Sequence, residues 1–132
     1  MMPFEKIGKL YLVTGVTDLR KGIDGYAALI QSQLHQSPMD HSMYLFCNRD
    51  RTKLKCLYFD GTGFWLLYKR LEKGHFKWKK DEANHSVMIS EQQLGWLLDG
   101  LKIEQESAFQ PVKKDYNEAL MLLNKCMQEC II

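Results

Sequence analysis

Four carboxylates in this sequence have the chemistry to hold a metal ion. Clustered carboxylates can bind Mg²⁺ for phosphodiester chemistry. Each of the four also suits a structural role, because two precede an expected helix, one lies before a glycine in a turn and one is next to a lysine. We therefore interpret them as structural and predict that the protein is not an enzyme. They are Asp18, Asp24, Asp60 and Glu72.

The cysteines and histidines give a second possible site. Cys126 and Cys130 lie one helical turn apart, a spacing that could place two metal ligands on one face, but no second pair follows. We interpret them as buried or free thiols, and we interpret the isolated His75 and His85 as surface or turn residues. The sequence also has no Walker loop, dinucleotide-binding glycine pattern or nucleophile elbow. We therefore predict no metal and no cofactor.

Positive charge is concentrated in the middle of the chain. Residues 49–80 contain ten basic and three acidic side chains, a net charge of +7, whereas residues 81–132 contain four basic and nine acidic ones, a net charge of −5. Such a division suggests a surface that meets a polyanion and a separate acidic region. An alternative is that lysines at strand edges only prevent aggregation between sheets.

The segment 15–25 (GVTDLRKGIDG) is expected to be a loop, because it has three glycines and no periodicity. Its backbone N–H groups, with Arg20 and Lys21, could hold a phosphate. In the alternative, Asp18 caps the following helix and pairs with Arg20 or Lys21.

A sheet is expected to position these groups. Asp60-Gly61 between two apolar runs is a strong hairpin signal. The run 64–71 is apolar on both faces, which predicts a central strand covered on both sides. HFKWK, at 75–79, alternates like a strand. The predicted strands are 7–14, 44–48, 54–59, 64–71 and 75–79.

Helical patterns follow the first strand and the sheet. Residues 26–35 have apolar side chains on one helical face. Ser90 and Gln93 fit a capping box, with Ile89 able to pack on Leu94 as a hydrophobic staple. Gly100 is a plausible end for this second helix. A third amphipathic pattern covers residues 115–131 and could dock on the domain or pair with a partner's helix.

The sequence therefore predicts an α+β fold with a mostly antiparallel sheet of about five strands, two packed helices and an additional C-terminal helix. Residues 1–110 are expected to form one domain and residues 111–132 a C-terminal helix. No apolar run approaches the ~20 residues that span a membrane, and the N-terminus lacks the continuous apolar core of a signal peptide. We expect a cytoplasmic protein with reduced cysteines.

Three stretches carry a family resemblance: TGVTDLRKGIDG at 14–25, FCNR at 46–49 and DGTGFWLLYKRLEKGHFKW at 60–78. Taken in this order along the chain, and together with the 90–101 helix, these stretches closely resemble the Orf2 (TnpB) accessory proteins of the insertion sequence 66 family of bacterial transposable elements. The resemblance covers about residues 7–101. It implies a role beside a separate DDE-type transposase, in a family with no known catalytic activity. The chain departs from the family pattern at Cys47, a position where the family commonly has arginine. Residues 111–132 extend beyond the part of the chain that the resemblance covers.

Two functional hypotheses follow. The first is an accessory factor for transposition that binds DNA through basic groups at strand ends, where phosphate contact is more plausible than base stacking. The second is a protein adaptor that binds the transposase or itself, through the sheet edge or the 115–131 helix. The expected partners are the transposase of the same element and DNA, and the chain could also associate with a second copy of itself. The candidate DNA-binding residues are Arg20, Lys21, Arg49, Arg51, Lys53, Lys55, Lys69, Arg70, Lys77 and Lys79.

Overall fold

A computed structural model describes residues 7–105 of the 132-residue chain. These residues form one five-stranded sheet and two helices. The predicted 115–131 helix, Cys126 and Cys130 lie outside the described residues. In chain order the elements are β1 (Leu10–Val13), α1 (Ile23–Gln33), β2 (Met43–Cys47), β3 (Lys53–Phe59), β4 (Phe64–Arg70), β5 (Ser86–Ile89) and α2 (Glu91–Leu98).

The strand order is β4-β3-β2-β1-β5. β1 and β2 are parallel, with Leu10 opposite Met43, and the other three pairs are antiparallel. A parallel pair requires a crossover connection, and α1 supplies it between these two strands. The prediction of an α+β fold with a mostly antiparallel five-stranded sheet and two packed helices is confirmed.

The α1 side of the sheet carries one apolar cluster. Tyr26 and Ile30 of α1 are fully buried against the side chains of β2 and β3 that face them. The rings of Tyr26 and Phe46 stack with centroids 4.5 Å apart. The strand residues in this cluster include Val13, Tyr44, Phe46 and Leu57.

The α2 side of the sheet carries the other cluster. Leu97 of α2, together with Phe76 and Trp78 from the connection between β4 and β5, packs on the alternate side chains of the same strands. Ile103, just beyond α2, is also buried here. Both faces of the three central strands are therefore covered.

The prediction of a strand at 75–79 was wrong, although its alternation is real. Phe76 and Trp78 point into the core, while Lys77 is exposed. The backbone N–H of Phe76 donates to the carbonyl of Arg51 (2.7 Å) and the carbonyl of Lys79 accepts from the N–H of Gly15 (3.0 Å), which are isolated bonds rather than a ladder. The segment therefore crosses the sheet as a covering layer, and the fifth strand is β5.

The prediction that residues 64–71 form a central strand was also wrong, because β4 lies at the edge of the sheet. Its neighbour on one side is β3, and within residues 7–105 no strand pairs with its other side. Trp65, Leu67 and Tyr68 are consequently 43%, 37% and 54% exposed. The run is apolar on both faces but is not covered.

The helix signals were partly right. The capping box of α2 is present, since Ser90 Oγ accepts from the N–H of Gln93 (3.1 Å) and the Gln93 side chain accepts from the N–H of Ser90 (2.9 Å). Gly100 follows the helix with φ +85°, a conformation that favours glycine. α1 begins at Ile23, before the predicted apolar pattern at 26–35, and has Asp24 in its first turn, which agrees with the expectation that the helix could start earlier near Asp18 or Asp24; its N-cap is Gly22, without a side-chain cap.

Candidate nucleic-acid interface

The parallel pairing of β1 and β2 brings together two loops at one end of these strands. Both strands run in the same direction, so the segments that follow them, 14–22 and 48–52, leave at the same end. The backbone N–H of Thr17 donates a 2.9 Å hydrogen bond to the carbonyl of Cys47 and joins the two segments. Between them lies an open cleft of about 450 Å³, whose lining includes the cations Arg20, Arg49 and Lys53 and the carboxylates Asp18 and Asp50.

The first loop is held by its own carboxylate. Asp18 accepts hydrogen bonds from the backbone N–H of Arg20 (2.9 Å) and from its guanidinium (2.9 and 3.0 Å). The hydrogen bond from the Arg20 side chain, followed by that from the backbone, holds the pKa of Asp18 well below its usual range. Arg20 is nevertheless 91% exposed. It is oriented by Asp18 and remains open to solvent.

Tyr26 fixes this loop to α1. Its buried hydroxyl donates to the carbonyl of Asp18 (3.0 Å), and burial raises the pKa of Tyr26 to about 12. The hydroxyl therefore remains protonated and able to donate at neutral pH. The prediction that Asp18 pairs with Arg20 or Lys21 is confirmed for Arg20, whereas its predicted role as the helix cap was wrong, because the cap position is Gly22.

Asn48 organises the second loop. Its side-chain oxygen accepts from the backbone N–H groups of Thr52 and Lys53, both at 3.0 Å, and its carbonyl accepts from the N–H of Arg51 (3.2 Å). This tight turn leaves Arg49 fully at the surface. Sequence analysis missed the role of Asn48, although asparagine is a frequent turn residue.

Thr14 and Asp81 line a second cavity, which shares Thr17 and Asp18 with the cleft, and their contact was not predicted from the sequence. The hydroxyl of Thr14 donates to Asp81 Oδ1 (3.3 Å) and accepts from the N–H of Glu82 (3.2 Å). Gly15 has φ +78°, and a Cβ placed there would lie 3.0 Å from the Cβ of Asp81. The glycine in the sequence was the available signal for this close approach.

Three further cations lie beside the cleft: Lys21 in the first loop, and Lys55 and Arg70 on the α1 side of the sheet. Lys53 lies opposite Arg70 on the neighbouring strand, and Lys55 lies opposite Tyr68. The Nζ of Lys55 donates to the carbonyl of Lys21 (3.1 Å) and lies 5.8 Å from the ring centroid of Tyr26. We name the resulting set the basic surface: Arg20, Lys21, Arg49, Lys53, Lys55 and Arg70.

The other four predicted site residues lie elsewhere or have other partners. Lys69 alternates with Arg70 and so projects from the α2 side. Lys77 lies between two buried aromatic residues of the covering segment, and Lys79 pairs with Glu82 (3.1 Å) and Glu104 (2.7 Å). Arg51 is exposed in the turn that Asn48 organises, with φ +60°. The ten candidate residues therefore do not share one continuous surface.

The four candidate metal-binding carboxylates do not converge. Glu72 pairs with Arg70 (2.9 Å), and Asp24 lies in the first turn of α1. The carboxylate of Asp60 accepts from the N–H groups of its own turn and from the indole of Trp65 (2.8 Å). Within residues 7–105 no group of three or more His, Cys, Asp or Glu side chains could hold a metal ion.

Cys47, where the sequence departs from the resemblance, is fully buried on the α2 side of the sheet. Burial raises the pKa of its thiol to about 12. A cysteine in this position therefore serves as a small apolar core residue.

Together these features define a small α+β protein that gathers cations from two loops and two strands at one end of its sheet. A family model described as IS66 Orf2 like protein matches residues 8–108. The chain belongs to this family, and it is therefore an accessory protein of an insertion sequence. Neither helix in the described part of the chain is long and apolar enough to cross a membrane.

Two relatives come from Sinorhizobium fredii (strain NBRC 101917 / NGR234). The uncharacterized protein y4hO is 35% identical over 101 residues, which cover 76% of this chain and 87% of the relative. The uncharacterized protein y4jC is 30% identical over 110 residues, which cover 80% of this chain and 92% of the relative. No solved structure matches the chain.

Proposed function

We propose that this accessory protein binds DNA through the basic surface and contacts the phosphate backbone. The observation that carries the proposal is the convergence of Arg20, Arg49 and Lys53 on one open cleft, although they come from three separate segments. Cations that line an open cleft attract a polyanion, and phosphates along a duplex are closely spaced.

The pairing of Lys53 with Arg70 supports the same proposal. Like charges directly opposite each other on neighbouring strands are destabilising. Glu72 offsets part of this repulsion through Arg70, but the pair is exposed and such ion pairs contribute little. A phosphate between the two cations would remove the remaining repulsion, so the arrangement suits a protein that works with an anionic ligand.

The aromatic residues favour phosphate contact over base stacking. The rings of Tyr26 and Phe46 stack on each other inside the core and are fully buried. Tyr68 is exposed, but the Nζ of Lys55 lies 5.9 Å from its ring centroid. We therefore propose binding that depends on charge and little on base sequence.

The adaptor hypothesis remains the second candidate, because one observation favours it. The exposed side chains of Trp65 and Leu67 form an apolar strip on the α2 side of β4 that phosphate binding does not use. Such a strip is typical of protein–protein contact. The transposase of the same element is the partner that we propose for this role.

A charge-reversal experiment tests DNA binding. The variant Arg49→Glu/Lys53→Glu removes two cations of the cleft, and the variant Lys77→Glu/Lys102→Glu makes the same change in net charge at exposed positions away from it. Fluorescence anisotropy with a labelled duplex at low salt should show an affinity loss of about tenfold or more in the first variant only. Circular dichroism checks that both variants are folded.

Two outcomes would contradict the proposal. Equal losses in the two variants would mean that overall charge, rather than the cleft, drives binding. Absence of binding by the wild-type protein at low salt, together with co-purification with the transposase, would favour the adaptor.

A further inference from the structure

The outer edge of β4 presents unused backbone hydrogen-bonding groups. The N–H of Asp60 donates to the carbonyl of Gly63 (3.0 Å), and the N–H of Leu71 donates to that of Thr52 (2.8 Å). In an antiparallel pair hydrogen bonding alternates along the strand, so the alternate residues between these two points bond to β3. The peptide groups of the others point away from the sheet. These outward-facing residues are Phe64, Leu66, Tyr68 and Arg70.

This edge has few of the features that protect natural sheets. Exposed edges are usually short, bulged, interrupted by proline or covered. β4 is seven residues long and has neither proline nor glycine, and within residues 7–105 no segment pairs with its outer side. Its two cations are both at its C-terminal end, at positions 69 and 70.

The side chains on this edge are also apolar and exposed. Trp65 and Leu67 face the α2 side and Tyr68 faces the α1 side, so apolar surface is available on both faces. On the α2 side, Leu67 lines an apolar groove of about 440 Å³, which Leu94 and Leu98 of α2 also line. An uncovered edge with apolar residues on both faces indicates a strand that pairs with another strand.

We infer that β4 pairs with β4 of a second copy of this chain, antiparallel and centred on Leu67, to form a continuous ten-stranded sheet. A two-fold symmetric interface must be complementary to itself. β4 meets this condition, because large rings occupy its N-terminal end and cations its C-terminal end.

The register centred on Leu67 uses this complementarity fully. It pairs Trp65 with Lys69 of the second copy and Phe64 with Arg70 of the second copy. Each cation then lies next to an aromatic ring, which is an attractive arrangement, and no two like charges face each other. Leu66 pairs with Tyr68 of the second copy, and the outward-facing peptide groups at 64, 66, 68 and 70 meet their counterparts.

Neighbouring registers are worse. A register centred on Tyr68 places Lys69 and Arg70 opposite leucines and leaves Phe64 and Trp65 without a partner. A register centred on Leu66 leaves both cations beyond the end of the paired strands. Only the Leu67 register pairs all seven residues of β4.

The geometry also specifies how close the central residues come. Leu67 bonds to β3, so across the new interface it forms a pair without hydrogen bonds, with Cα atoms about 4.5 Å apart. That separation is within the range that a disulfide spans. Because the two-fold axis of such a pair is perpendicular to the sheet, the basic surfaces of both copies would lie on the same side. The inference does not depend on DNA binding.

Sedimentation equilibrium with the full chain tests the pairing. The wild-type protein should have twice its 15.5 kDa mass. Leu67→Lys places two lysines against each other at the centre and should give a monomer. Leu98→Lys introduces the same charge on an exposed leucine of α2 and should remain a dimer. Circular dichroism checks that both variants are folded.

A cross-linking experiment tests the register in a Cys126→Ser/Cys130→Ser background. Leu67→Cys should form a disulfide-linked dimer on mild oxidation, and Trp65→Cys should not, because position 65 faces position 69. A monomeric wild-type protein, or a dimer that resists Leu67→Lys and does not cross-link at 67, would overturn the inference. Loss of the dimer in Leu98→Lys alone would assign the interface to the groove instead. A wild-type monomer that associates only with transposase would assign β4 to a foreign strand.

Discussion

The indole Nε1 of Trp78 donates a buried 2.9 Å hydrogen bond to the carbonyl oxygen of Val13. Val13 ends β1, and Trp78 belongs to the segment that covers the α2 side of the sheet. A second bond, from the N–H of Gly15 to the carbonyl of Lys79 (3.0 Å), lies next to it. These bonds attach the covering segment at the point where the first loop of the cleft begins.

Replacing this indole should destabilise the fold. Trp78→Phe keeps an aromatic ring but leaves the buried Val13 carbonyl without this donor, which should lower the free energy of unfolding by about 1–3 kcal/mol. Urea denaturation measures the change. Trp96→Phe, in a half-buried position on α2, is the control and should lose less. A loss in Trp78→Phe no larger than in the control would contradict the importance of this bond.

The capping box of α2 should make a measurable contribution. Ser90→Ala removes the side-chain acceptor for the N–H of Gln93 and should reduce the free energy of unfolding by about 1 kcal/mol. Gln92→Ala, two residues away and exposed, should change it by less than about 0.5 kcal/mol. Thermal denaturation followed by circular dichroism compares the two, and equal melting temperatures would show that the cap contributes nothing.

The Asp60 turn should make stability depend on pH. The pKa of Asp60 lies well below 3.8 in the folded chain. The largest cause is the hydrogen bond from the N–H of Thr62, followed by the one from the indole of Trp65. The group is therefore deprotonated more easily in the folded chain than in the unfolded one. Its contribution is complete above the unfolded pKa and is lost as the pH falls toward the folded value.

Asp60→Asn measures this contribution. The wild-type protein should be more stable than the variant near neutral pH, and the difference should shrink as the pH falls from about 5 to about 3. Urea denaturation at each pH gives the two free energies. A difference that stays constant over this range would mean that the charge of Asp60 does not contribute.

DNA binding should depend strongly on salt. If between three and six cations of the basic surface each neutralise a phosphate, the logarithm of the binding constant should fall against the logarithm of salt concentration with a slope of about −3 to −5. Arg49→Glu/Lys53→Glu should reduce the size of that slope by about 2. Anisotropy titrations at several salt concentrations measure both slopes, and identical slopes would mean that Arg49 and Lys53 do not contact phosphates.

Signals that act over a few residues were interpreted correctly from the sequence. The hairpin at Asp60-Gly61 and the capping box at Ser90 and Gln93 are both present, because their hydrogen bonds join residues at most a few positions apart. The family resemblance was also correct, and it is confirmed by the family model over residues 8–108.

Properties set by distant contacts were interpreted less well. The alternation of Phe76 and Trp78 with lysines does indicate one buried face, but a strand and an extended covering segment share that pattern. The apolar run of β4 likewise gives no information on strand order. In the folded chain β4 is the edge strand. A pattern shows which side chains prefer burial, and only the complete fold determines whether burial is achieved.

The candidate site divides in the same way. Charge counting found the basic residues, but it could not separate Arg70 from Lys69, which lie on opposite sides of β4. The number of charges also could not predict that Arg20 and Arg49 lie close together, because their proximity depends on the parallel pairing of β1 with β2. That pairing has no local signal in the sequence.

The place of β1 in the sheet affects how the chain folds during synthesis. Of the strands in residues 7–105, β1 is synthesised before the others, yet one of its two neighbours is β5, so Leu10 cannot pair with Ile89 until residue 89 has been made. β2, β3 and β4 are joined by short turns and can assemble as soon as they emerge, whereas the far edge of β1 stays open until residues 86–89 have been made. Until then the nascent chain exposes one unpaired edge of a strand that ends in the interior of the sheet, and an exposed strand edge favours aggregation with other chains.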